Sequence, residues 1–136
     1  MKRVLKRNGT GFFDFVLRIT IYSYIALFIF CCDKSGNIES NDAIMLLNNS
    51  DYYFLDVRTI QEHKNKSIPG TNCIPVQELE QRIEELDKYR KKKIIVYCRS
   101  GNRSGMAVKI LNKSGFNALN LSNGMNEWKG ETIKKE

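Results

Sequence analysis

Histidine occurs once in these 136 residues, at His63, and cysteine only four times, at Cys31, Cys32, Cys73 and Cys98. No C-x-x-C pair is present, and a single histidine with scattered thiols does not make a zinc site. No metal and no cofactor is therefore expected. The chain is too short for two domains, and one compact domain plus a short extension accounts for its length. Internal repeats and low-complexity tracts are absent, which excludes solenoid and fibrous architectures. The longest uncharged run, Ile19 to Cys32, has fourteen residues, fewer than the ~20 of a full membrane span.

Charge of one sign is in excess, since the net charge is +7. The excess is uneven: residues 1–18 hold Lys2, Arg3, Lys6, Arg7 and Arg18 against Asp14 alone. Placed ahead of an apolar segment, these cations read as a topology signal and not as a nucleic-acid site. Arg90-Lys91-Lys92-Lys93 precedes an apolar run and reads as a solvated turn. No nucleic-acid partner is expected. Basic residues, the run Ile19 to Cys32 and polar Asp33 to Asn37 follow the order of an export signal. Extending the apolar run back to Phe12 gives the length of a span, with Asp14 and Arg18 inside it. Ile29-Phe30-Cys31-Cys32 resembles a loose bacterial lipoprotein box, with Cys32 as the lipidation site. The alternative is an uncleaved anchor helix. Either reading makes residues 1–36 a signal or anchor with its linker and residues 37–136 the folded domain. Both tether that domain to a membrane and face it to the periplasm or cell exterior.

Within the domain, Ser40-Asn41-Asp42 ahead of Ala43, Ile44, Leu46 and Leu47 predicts a capped helix. Tyr53 to Val57 and, after the Pro69-Gly70 turn, Cys73 to Val76 predict strands. Leu79, Ile83 and Leu86 share one face of a second helix. Ile94 to Tyr97 predicts a strand buried on both faces, followed by a loop and a helix that Gly115 closes. Ala118 to Leu121 predicts a last strand, and Met125 with Trp128 a short core-packed helix. Strands alternating with helices call for an α/β fold with a mainly parallel sheet covered on both sides. Ligands in such folds bind at the carboxyl ends of strands.

Cys98 lies at such an end, before Arg99-Ser100-Gly101-Asn102-Arg103-Ser104 and a helix start. Amides of a tight loop and a helix N-terminus beside a thiol make an anion pocket around a sulfur nucleophile. Lowering a free thiol from ~8.5 to about 7 takes roughly 2 kcal/mol. A helix N-terminus typically gives ~0.3–1 kcal/mol. The loop N–H groups and the cations Arg99 and Arg103 are expected to supply the rest.

Four stretches carry a family likeness: Leu55-Asp56-Val57-Arg58 with Glu62; Ile68-Pro69-Gly70-Thr71 with Ile74-Pro75; Tyr97 to Ser104; and Asn123-Gly124-Met125 with Trp128. In this order and spacing the chain resembles the single-domain rhodanese (thiosulfate sulfurtransferase) family, in an exported or membrane-anchored form. The resemblance implies a rhodanese-like α/β fold whose central sheet has about five strands. It implies transfer of a sulfane sulfur from thiosulfate, or a similar anionic donor, to cyanide or a thiol through a persulfide on Cys98. Arg99, Ser100, Gly101, Asn102, Arg103 and Ser104 would then bind the substrate. Lys66 and Ser67 stand where the family writes glycine and histidine, and Asn123 where it starts a glycine pair.

Each singled-out residue also has a plainer reading. Arg99 fits a solvent-facing loop charge, and Arg103 an ion pair with a carboxylate. Asp56 and Arg58 fit structural support of strand ends. Cys73 fits a buried, inert thiol, and His63, where the family has an aromatic, fits packing or surface. Cysteine-dependent phosphatases and arsenate reductases place five residues between cysteine and arginine, whereas four separate Cys98 from Arg103. The smaller loop disfavours a tetrahedral phosphate. A non-catalytic binding module or a persulfide carrier in envelope redox chemistry is the remaining alternative.

Overall fold

Five short strands form one sheet in the order β1-β5-β4-β2-β3, every neighbouring pair parallel. They are β1 (Gly36–Ile38), β2 (Tyr52–Asp56), β3 (Asn72–Cys73), β4 (Lys93–Tyr97) and β5 (Asn117–Leu121). Helices α1 (Ser40–Met45), α2 (Ile60–Asn65) and α3 (Asn102–Lys113) and the 3-10 helix Ile83–Tyr89 make the connections, and a second 3-10 helix, Gly124–Asn126, follows β5. This computed structural model describes residues 36–135. The signal, anchor and lipidation expectations, Cys32 included, lie outside the described residues. Among the described residues, no helix is long and apolar enough to cross a membrane.

The central strand shows why the sheet is parallel and sandwiched. Ile94, Ile95, Val96 and Tyr97 are all fully buried, as a strand covered on both faces requires. Its side chains alternate. Ile94 and Val96 join Leu55, Val57, Leu86 and Leu111 in one core cluster, while Ile95 and Tyr97 join Ala43, Phe54, Ile68 and Leu121 in another. Tyr97 carries its hydroxyl into the second cluster, where it meets the Thr71 hydroxyl at 2.9 Å and accepts the Ile68 N–H at 3.3 Å. The Pro69-Gly70 turn is thereby tied to the strand that ends at Cys98.

Local differences from the sequence expectations have local causes. The strand expected over Cys73 to Val76 is only Asn72–Cys73 long, because Pro75 has no N–H to continue a ladder. The helix expected at Leu79 to Leu86 is a set of turns followed by a 3-10 helix. Its three-residue period keeps Ile83 and Leu86 on one face. Helix α2 went unpredicted because it has six residues and buries only His63, so it shows no apolar period. Strand β1 begins at Gly36, the last residue assigned to the linker. There the missing side chain lets Leu119 approach closely, for a Cβ would lie 2.8 Å from its Cδ2.

Candidate active site

Strand β4 delivers Cys98 at its carboxyl end, and the chain curls back over the sulfur before entering α3. Gly101 makes the curl. It sits at φ +91°, a left-handed conformation open to glycine, at the N-cap of α3. Its N–H donates to Cys98 Sγ at 3.1 Å, and the Ser104 hydroxyl lies 3.3 Å from the same sulfur and 3.1 Å from the Gly101 carbonyl. Burial of Cys98 raises its thiol pKa. The Ser104 hydroxyl and the backbone N–H groups of Ser104, Ser100 and Gly101 outweigh that penalty, and the net direction is down. The thiolate is thus stabilised chiefly by short dipoles in a closed loop, where the sequence pointed to arginines as well.

The root of the loop is held from behind. Cys98 and Arg99 carbonyls accept the N–H groups of Met125 and Asn126, each at 2.9 Å. Gly124 packs directly on this junction, since a Cβ there would fall 2.2 Å from the Cys98 carbonyl oxygen. Asn123 adopts φ 57°, the left-handed conformation that a glycine takes readily at such a turn.

The two arginines part ways. Arg99 is exposed, as are Ser100 and Asn102. Arg103 donates through both terminal nitrogens to the Glu62 carboxylate, at 2.8 and 2.9 Å, so the ion-pair alternative is the arrangement found. The Thr59–Glu62 capping box of α2 aims that carboxylate. Glu62 is the site residue whose role escaped sequence reasoning. The Thr-x-x-Glu signature was the signal that marked it.

Asp56 and Arg58 form a buried pair on β2 and the residues after it. Arg58 Nε and Nη2 donate to the carboxylate at 3.0 and 2.7 Å, and its backbone N–H adds a bond of 2.9 Å. Lys66, one of the departures from the family pattern, lends its carbonyl to the same guanidinium. His63 belongs to this network and is not merely packed. It is buried, with Nδ1 2.9 Å from Asp56 Oδ2 and Nε2 3.0 Å from Lys135 Nζ. Cys73 is half-buried, and burial pushes its thiol up to about 12. Ligand atoms of Asp56, His63 and Cys73 lie within 4.8 Å of one another. The Arg58 cation already satisfies that carboxylate and the thiol is held protonated, so the donor set suits an ion pair better than a metal ion.

The family model for the Rhodanese-like domain matches residues 28–131. The chain belongs to the rhodanese-like family. Over 79 residues it is 42% identical to YrkF, a candidate sulfur carrier protein of Bacillus subtilis, in a match that covers 57% of this chain and 42% of YrkF. The chain thus spans less than half the length of that relative. It is 27% identical over 75 residues to the thiosulfate sulfurtransferase PspE of Escherichia coli, covering 55% of this chain and 72% of PspE. The crystal structure of a rhodanese-like domain protein from Staphylococcus aureus superposes with a TM-score of 0.67 at 25% identity, covering 74% of this chain and 99% of that one. The α/β sheet described above is the rhodanese-like fold, and sulfur carriers and sulfurtransferases are among the relatives of this domain.

Proposed function

We propose that this rhodanese-like chain is a thiosulfate sulfurtransferase with Cys98 as its sulfur carrier. One observation carries the reading: a buried strand-end thiol whose sulfur accepts the Gly101 N–H at 3.1 Å and lies 3.3 Å from the Ser104 hydroxyl. That loop favours the anion, and the thiolate is the attacking species. The Cys98 thiolate attacks the outer sulfur of thiosulfate, the sulfur–sulfur bond of the donor breaks, and sulfite leaves with the electron pair. Cys98 is left as a persulfide anion. Cyanide or a thiolate then attacks the terminal sulfur, takes it as thiocyanate or a new persulfide, and restores the Cys98 thiolate. Exposed Arg99 meets the incoming dianion at the mouth, and loop amides from Ser100 to Ser104 solvate the charge in place of water. Likeness to PspE supports thiosulfate as donor.

The same proposal places the domain at a membrane, facing the periplasm or cell exterior, on the grounds of the basic and apolar sequence of residues 1–36. Treating the full chain with thiosulfate should add the mass of one sulfur atom, which cyanide removes as thiocyanate. Cys98→Ser should show neither adduct nor turnover, and unchanged turnover in that variant would overturn the assignment. The mass of protein recovered from cell membranes reads lipid on Cys32 or an intact anchor. Recovery only in the soluble fraction would defeat the membrane placement.

A further inference from the structure

Helix α3 leaves the sulfur loop carrying an outward stripe of Asn102, Met106, Lys109 and Lys113, all exposed and spaced four, three and four residues apart on one face. Two features set this face apart from an ordinary solvated one. Met106 is 54% exposed, and it and Ile60, 46% exposed, are two of the three large apolar side chains left in water among the described residues. Both belong to the helices whose first turns flank the loop, joined there by the Arg103–Glu62 pair. The second feature is charge. Two surface arginines are paired: Arg82 with Glu78 and Glu85, and Arg90 with Asp87. Lys109 and Lys113 stand one turn apart with no carboxylate within ion-pair distance among the described residues, and α3 contains no acidic residue. Like charges at that spacing repel, a cost that a partner of opposite sign removes. A hollow of about 330 Å³ beside the stripe starts at Gly101 and Asn102 and runs past Met106 to Lys109, with no acidic lining residue. On the other flank, Lys109 and Lys113 border a second hollow with Ile83, Ile110 and a single carboxylate, Glu80.

We infer that this stripe of α3 is a docking surface for an acidic protein that brings its thiol to the sulfur on Cys98. A methionine among lysines offers an adaptable apolar contact inside a steering field, and the stripe ends at the loop where sulfur is handed over. The inference rests on Cys98 as sulfur carrier and specifies the acceptor. The acceptor thiolate attacks the terminal persulfide sulfur, the bond from that sulfur to Cys98 Sγ breaks, and Cys98 regains its thiolate with no net oxidation.

The test uses the full chain in nonionic detergent, loaded with thiosulfate, desalted and checked by mass. Three peptides of equal length, each with one cysteine between acidic, neutral or basic flanks, are then offered as acceptors. At low salt the acidic peptide should take sulfur at least about tenfold faster than the basic one, an advantage that high salt erases. Lys109→Glu with Lys113→Glu should invert the order. Met106→Ser should slow the acidic peptide several-fold and keep the order. Cyanide discharge should be the same in all variants. Equal rates for the three peptides, as occupation of the stripe by residues 1–35 or by a second copy would give, overturn the inference. So does an acidic preference that survives the double charge reversal. Failure to load sulfur at all is seen before any peptide is added, and it brings down the Cys98 reading itself.

Discussion

Glu62 and Arg103, 41 residues apart in sequence, join through two hydrogen bonds that tie the first turn of α2 to the first turn of α3. Glu62 Oε2, one of the two oxygens that Arg103 reaches, also accepts from the backbone N–H and hydroxyl of Thr59 at 3.0 Å each. The helix that follows the sulfur loop is therefore positioned by a residue from a different crossover.

Arg103, with lesser help from Thr59, holds the Glu62 carboxyl down to about 2. A depressed carboxyl stabilises the fold fully above its unfolded value of about 4.5 and loses that contribution as pH falls toward about 2. Half-open pairs contribute about 1 kcal/mol, so Glu62→Gln should lower stability by that order and reduce sulfur transfer several-fold without abolishing it. Urea unfolding at pH 7 and pH 3 checks this: the wild-type chain should lose more on acidification than the variant.

Ser104→Ala removes the hydroxyl from Cys98 Sγ and keeps the loop amides. A hydrogen bond to a charged group contributes about 1.5–3 kcal/mol, so the thiol should titrate about one unit or more higher. The rate of alkylation by iodoacetamide against pH reads this directly, and an unmoved profile would show the hydroxyl to be a bystander.

Gly124→Ala should damage the loop root, because the new Cβ meets the Cys98 carbonyl and the backbone there is at φ +51°. A loss on the order of 2–4 kcal/mol, with sulfur loading impaired, is expected from thermal unfolding and mass measurement. Its neighbour is the control. Asn123→Gly keeps the left-handed turn and should change stability by less than about 1 kcal/mol.

Asp56→Asn leaves the buried Arg58 guanidinium without its counter-charge and His63 without its charged partner. Breaking such a pair costs about 3–5 kcal/mol. Activity should fall with the folded fraction, in contrast to Cys98→Ser, which should remain folded and be inactive. Circular dichroism beside the turnover assay separates the two.

The sequence was legible where one residue's chemistry or one periodicity sufficed. The doubly buried strand into Cys98, the permissive Gly101, the apolar face of α3 and the Pro-Gly turn are local features, and local sterics and burial fix them. Helix α2 and strand β1 were illegible because six and three residues carry no period. The partner of Arg103 comes from a different crossover, and Lys135, one of the two partners of His63, comes from beyond the last strand, so no local pattern names them. Composition and spacing by themselves determined an α/β domain with one thiol set for anion chemistry. Only the tertiary structure decided that the Ser104 hydroxyl joins the loop N–H groups in stabilising that thiol, that Arg103 belongs to Glu62, and that Met106 and the lysines of its stripe face outward. Those outcomes depend on distances between separate elements, which packing sets and sequence order does not.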